Sequence, residues 1–164
     1  MRLALVSLLL LAIAVPVGWA AASPAAETFS IEDGRGVVTI RGTGIVIGRL
    51  DRGEIQVVDL SPLDQWSPRV NGVPRGRTVW TRGKDVNVYV PGGRYRIKVR
   101  GEGFSISARG QGVVTLNGNP DQTGTTGTYA VGDLEPVPLP VEVEQLDFGT
   151  PFGPKRLAPV KVVP

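Results

Sequence analysis

The stretch GRYRIKVRGEGFSISARGQGVVTL, residues 93–116, alternates charged and apolar side chains from its second residue. Arg94, Arg96, Lys98 and Arg100 fall on one side and Tyr95, Ile97 and Val99 on the other. A period of two is the mark of a half-buried strand. The next residues, RGEG, offer glycine at the first central position of a two-residue hairpin turn, where positive φ is required. A turn at Gly101-Glu102 predicts Val99 opposite Phe104 and Ile97 opposite Ile106, with Lys98 facing Ser105 and Arg96 facing Ser107.

Upstream, VNVYVPGG (86–93) continues the pattern, and Pro91-Gly92 suits a type II turn with proline at i+1 and glycine at i+2. That hairpin predicts Val88 against Tyr95 and Val86 against Ile97. On the polar side it sets Tyr89 beside Arg94, Asn87 beside Arg96 and Asp85 beside Lys98, pairs worth ~0.2–1 kcal/mol each to a sheet. The cationic stripe then has two readings: a solvated sheet face that discourages edge aggregation, or a basic patch facing a ligand.

Residues 34–57 align without a gap on 93–116, an offset of 59, with identities that include Gly34/Gly93, Arg41/Arg100 and Gly53/Gly112. Apolar positions agree as well: Val38 with Ile97, Ile40 with Val99, Ile45 with Phe104. Two similar halves are expected. At the positions equivalent to Arg96 and Lys98 the first half has Val37 and Thr39, so the fold itself does not demand the charges.

Nothing between Thr28 and Val131 sustains a 3.6-residue period, while alternating runs bounded by Gly, Asn and Pro recur every eight to ten residues. The expectation is an all-β antiparallel sandwich or barrel of about ten short strands. They are placed at 28–32, 35–41, 44–50, 54–60, 77–82, 85–90, 94–100, 103–109, 112–117 and 127–131. Ile45-Val46-Ile47 is apolar on both faces, and Val114 and Leu116 fall on the side of Ser105 and Ser107 if Gly110-Gln111 is a turn. Either a bulge reverses the strand there or residues 59–76 or the C-terminal segment cover that face, and cover is the preferred reading.

The amino terminus has one Arg, an apolar run from Leu3 to Val15, Pro16 and then small residues. This is the plan of a secretory signal peptide, residues 1–22, with Ala20 and Ala22 placing the mature start at Ser23. The alternative is an uncleaved anchor, which would be the chain's sole association with a membrane. Either way the domain is expected to be secreted or extracytoplasmic. Residues 23–132 are read as one domain. With no cysteine in the chain, its stability rests on sheet packing. From Asp133, prolines at 136, 138, 140, 151, 154, 159 and 164 forbid a helix or central strand and predict an extended Pro-rich arm, residues 133–164. Its apolar run VPLPVEVEQLDF can alternatively lie along the body as an edge strand.

Residues 23–132 hold 14 Lys/Arg against 10 Asp/Glu, too modest a surplus for a dedicated nucleic-acid binder. With neither histidine nor cysteine, catalytic triads, thiol nucleophiles and His- or Cys-ligated metals are excluded. No catalytic residue, cofactor or metal is expected. Asp59, Asp64, Glu54 and Glu102 are the carboxylates near loops or turns that a glycosidase would need, and none sits in a recognisable frame. Asn117, Asn119 and Asp121 have the alternate spacing of an oxygen-rich calcium loop. Pro120 and the missing later acid favour a plain turn.

The irregular stretch DLSPLDQWSPRVNGVPRGRTVW (59–80) contains Trp66 and Trp80. A loop tryptophan serves as a stacking platform or protein anchor, or else closes the end of a small sandwich. The candidate binding residues are Trp66, Arg69, Tyr89, Arg94, Arg96 and Lys98.

The string from Val70 to Asp133, with its core PGGRYRI-x-VRG-x-G-x-SISARG-x-G, resembles a set of small exported actinobacterial proteins of unassigned function. The resemblance covers roughly residues 29 to 133 and implies an all-β fold without assigning an activity. The reading is an exported, non-catalytic β-module whose partner is an extracytoplasmic protein or an anionic cell-envelope polymer. The alternatives are a structural or assembly protein of the envelope, acting through sheet edges and the arm, and, ranked below it, a carboxylate glycosidase.

Overall fold

A computed structural model of the chain describes residues 26–149 and the two-residue strand at 156–157. The expected signal peptide, its cleavage point and most of the last fifteen residues of the arm lie outside the described residues. The described part is all-β and antiparallel, with no helical residue. No helix there is long and apolar enough to cross a membrane.

The strands are β1 (Glu27–Asp59), β2 (Arg69–Val70), β3 (Thr78–Val90), β4 (Arg94–Gly118), β5 (Thr128–Val131), β6 (Val137–Pro138), β7 (Glu144–Phe148) and β8 (Arg156–Leu157). They join in one sheet of order β2-β3-β1-β4-β7-β8, with β5 paired to β1 and β6 to β5.

The expected short strands are therefore corrected. Four of them, from 28–32 to 54–60, are stretches of the continuous β1, and the three from 94 to 117 are stretches of β4. The R-G-x-G sequences do not turn the chain back on itself. Val99 lies between Val38 and Ile55 rather than opposite Phe104, and Phe104 pairs with Leu50 and Gly34. The hairpin at Pro91-Gly92 is corrected as well, because β3 pairs with β1 and β2 and not with β4. Val88 thus meets Gly48, and Asp85 is separated from Lys98.

β1 and β4 pair in two registers. Val38 has Val99 on one side and Leu116 on the other, and Ile40 has Ile97 and Val114. β4 therefore passes along both edges of residues 36–43, which a straight strand cannot do, and the two strands must coil about a shared interior. Glycines sit face to face on adjacent strands where this occurs: Gly36 with Gly101 and Gly118, Gly53 with Gly101, Gly44 with Gly110. A Cβ on Gly44 would strike the Arg109 carbonyl oxygen, and one on Gly110 the Thr43 carbonyl oxygen. These glycines permit close crossing of backbones, not hairpin reversal.

The interior follows from alternation within each stretch. Tyr95, Ile97 and Val99 are buried, then Phe104, Ile106 and Ala108, then Val114 and Leu116. The phase slips by one between Val99 and Phe104, where Gly103 has φ 62, and is kept across Gly110. Val114 and Leu116 therefore point inward, into the core that Leu139, Leu146 and Phe148 of the C-terminal segment share, which removes the conflict created by a presumed turn. Over the first half the expected cover is missing: Ile45 and Ile47 are 43% and 59% exposed.

Residues 144–148 take the second of the two courses open to the arm. β7 pairs with Gly112–Leu116 of β4, and Leu139, Leu146 and Phe148 belong to the core. Phe148 packs on Phe29 at a centroid distance of 5.8 Å. β8 then pairs with β7, so β7 is not the sheet edge.

Candidate functional site

The outward side chains of β4 carry the cationic stripe, and the sheet register decides its neighbours. Arg96 lies between Arg41 and Val58, Lys98 between Thr39 and Gln56, and Arg100 between Val37 and Glu54. Arg94 pairs with Thr43. The carboxylate and aromatic partners that the hairpin would have supplied are elsewhere: Asp85 holds Arg49 at 3.5 Å, and Tyr89 pairs with Ile47 and Arg69. Among the described residues, Arg41, Arg94, Arg96, Lys98 and Arg100 form no ion pair. Arg41 directly opposite Arg96 is a like-charge pair, which costs a sheet a few tenths to about 1 kcal/mol.

At the Arg100 end the face runs into a groove of about 990 Å³. Gly36, Gly53, Gly83 and Gly101 line it together with Arg35, Arg52, Arg82, Lys84 and Arg100, against Glu54 and Glu102. Glu102 accepts from Arg35 at 2.9 Å and pairs with Arg52 at 3.2 Å. Arg82, Lys84 and Arg100 are left without an ion pair among the described residues.

Trp66, Arg69 and Tyr89 are not strand neighbours of this stripe. The Trp66 ring stands over Gly92, where an added Cβ would lie 3.5 Å from the indole Cγ. Its backbone N–H donates to the Asp64 carboxylate at 2.8 Å. Tyr89, Ile47 and Arg69 form a separate row across β1, β3 and β2. The structure thus brings Arg94, Arg96 and Lys98 together, sets Trp66 over Gly92, two residues before Arg94, and places Arg69 and Tyr89 in a separate row.

The remaining polar candidates have local duties. The buried Asp59 accepts the Ser61 N–H at 2.8 Å. The Asn117 amide donates to the Val141 carbonyl at 2.7 Å. Asp121 accepts from the N–H groups of Thr123 and Thr125 and from the Thr123 hydroxyl. The hydrogen bonds from Thr123 and Thr125, with Arg35 nearby, hold the Asp121 carboxyl down at about 2. These contacts close a turn at 121–125.

Sequence reading missed Arg41, Arg82 and Trp80 as members of the cationic face. Trp80 is 57% exposed and pairs with Gln56, which in turn pairs with Lys98. The alternation of Thr78, Trp80 and Arg82 along one face of their strand was the available signal. Their distance from Lys98 was not, because the register linking β3 to β4 runs through β1. Comparison of the chain with family models, with curated proteins and with solved structures gave no match.

Proposed function

We propose that this protein is a non-catalytic exported β-module that binds an anionic polymer of the cell envelope through the outward face of β4 and its neighbours. The observation that carries the reading is the set of five cations, Arg41, Arg94, Arg96, Lys98 and Arg100, on one sheet face without a single ion pair among the described residues. Leaving them so, with Arg41 set against Arg96, is unfavourable for the isolated domain and favourable for a polyanion that neutralises several at once.

The same reading takes the sheet as a two-layer sandwich of two related halves. Supporting it, residues 36–43 and 94–101 are neighbours, flanked by 111–118 and 53–59, while 44–52 and 102–110 are neighbours flanked by 84–90 and 27–35. That order is symmetric under exchange of the segments aligned at offset 59.

The test is co-sedimentation of residues 23–164 with isolated bacterial cell walls across a salt series. Binding that fades with salt and is lost in the double variant Arg96→Glu, Lys98→Glu is expected. Binding unchanged by that variant would remove the face from consideration. A protein partner is the second reading, favoured by the exposed row of Ile47 and Tyr89 with Ile45 beside it. Assembly through a free arm is less favoured, since residues 144–148 are already paired within the sheet.

A further inference from the structure

Resting on that reading, we propose that the polyanion is an acidic polysaccharide, and that Trp80 stacks on its sugar rings at the lip of the glycine-lined groove. Trp80 stands outward on a polar sheet face, and the core has no use for it. Two positions along β3 is Arg82, which lines the groove, and two strands across is Lys98, about 10 Å away at ordinary strand spacing. Beyond Arg82 in the next row lie Glu54 and then Arg100. An indole face thus lies among three cations that form no ion pair among the described residues, with the Gln56 amide between it and Lys98.

Each part matches one feature of an acidic sugar chain. The indole offers a flat apolar surface to the C–H face of a pyranose ring. Arg82, Lys98 and Arg100 can hold carboxylates, and the guanidinium fork suits a carboxylate in two-point contact. A polyanion without rings would need the cations alone, and a neutral glucan would need Trp80 alone.

The experiment titrates the secreted chain with polygalacturonate, with inorganic polyphosphate and with neutral dextran, for the wild type, Trp80→Ala and Trp66→Ala, reading affinity by calorimetry. Circular dichroism and the melting temperature confirm that each variant folds. Polygalacturonate binding that Trp80→Ala weakens about ten-fold, the loss of roughly one good contact, is expected. Polyphosphate binding should be indifferent to Trp80, Trp66→Ala should change neither, and dextran should not bind. Equal effects of Trp80→Ala on both polyanions, or no effect on either, would overturn the ring-stacking proposal. Polyphosphate binding without polygalacturonate binding would overturn it while sparing the anionic-polymer reading, whereas failure of both polyanions would overturn both. Dextran bound as tightly as polygalacturonate would overturn the role of the cations.

Discussion

Gly53 and Gly101 face each other across the β1–β4 ladder, each occupying the space a side chain on the other would need. A Cβ on Gly53 would strike the Arg100 carbonyl oxygen, and one on Gly101 the Arg52 carbonyl oxygen. Gly53 also has φ 145, outside the range of L side chains. Gly53→Ala is expected to cost about 2 kcal/mol or more, and Gly101→Ala a similar amount from the clash alone. Urea unfolding should show the midpoint fall with the slope little changed.

Tyr95 is fully buried and its hydroxyl has no hydrogen-bond partner among the described residues. Removing an unsatisfied buried oxygen usually helps, so Tyr95→Phe should raise stability by about 1 kcal/mol. Burial pushes the phenol well above its ordinary value of 10.0. The unfolded chain ionises first, so the wild type loses stability as pH rises past about 10. Thermal melts at pH 7 and above pH 10 should show the gap between variant and wild type widening at the higher pH.

Asp121 has the opposite sign. Its carboxyl is held at about 2, below the ordinary 3.8, so the folded chain keeps the charge after the unfolded chain has taken up a proton. The contribution is present above about pH 4 and is lost as pH falls toward 2. A carboxyl-carbon NMR titration should give a midpoint near 2, and Asp121→Asn should remove the acid-side slope assigned to this turn.

Phe148 anchors β7 on the body through Phe29. Phe148→Ala should cost about 3–5 kcal/mol if the cavity stays open, as for other buried aromatics. Hydrogen exchange should quicken first in 112–116, the stretch of β4 that pairs with β7. Equal protection of those amides in variant and wild type would show that β7 is held by other means.

Much of the face assignment could be read from the sequence. Tyr95, Ile97 and Val99 are inward and Arg94, Arg96 and Lys98 outward because side-chain alternation is a local property of one strand. Partner identity is not local. Gly101 satisfies the rule for a hairpin turn and equally the need for close passage of Gly53 and Gly36, and nothing in RGEG separates the two. A hairpin at Pro91-Gly92 would give Lys98 a carboxylate neighbour in Asp85, which in the structure is held by Arg49. Such a partner would leave the stripe neutralised, whereas the neighbours Lys98 has, Thr39 and Gln56, neutralise nothing.

The double register of β1 and β4 also governs when this chain can fold. Phe29 waits for Ala108, and Val38 for Leu116. A nascent chain that has released only β1 holds 33 residues of strand with no partner for most of its inner positions, and long-range pairing of that kind is slow. Residues 46–58 can pair with β3 once residues 78–90 have emerged, but the second edge of residues 36–43 stays open until residues 111–118 arrive. Such a late-folding chain is suited to any transport step that demands an unfolded polymer, and is exposed to misassociation until its second half arrives.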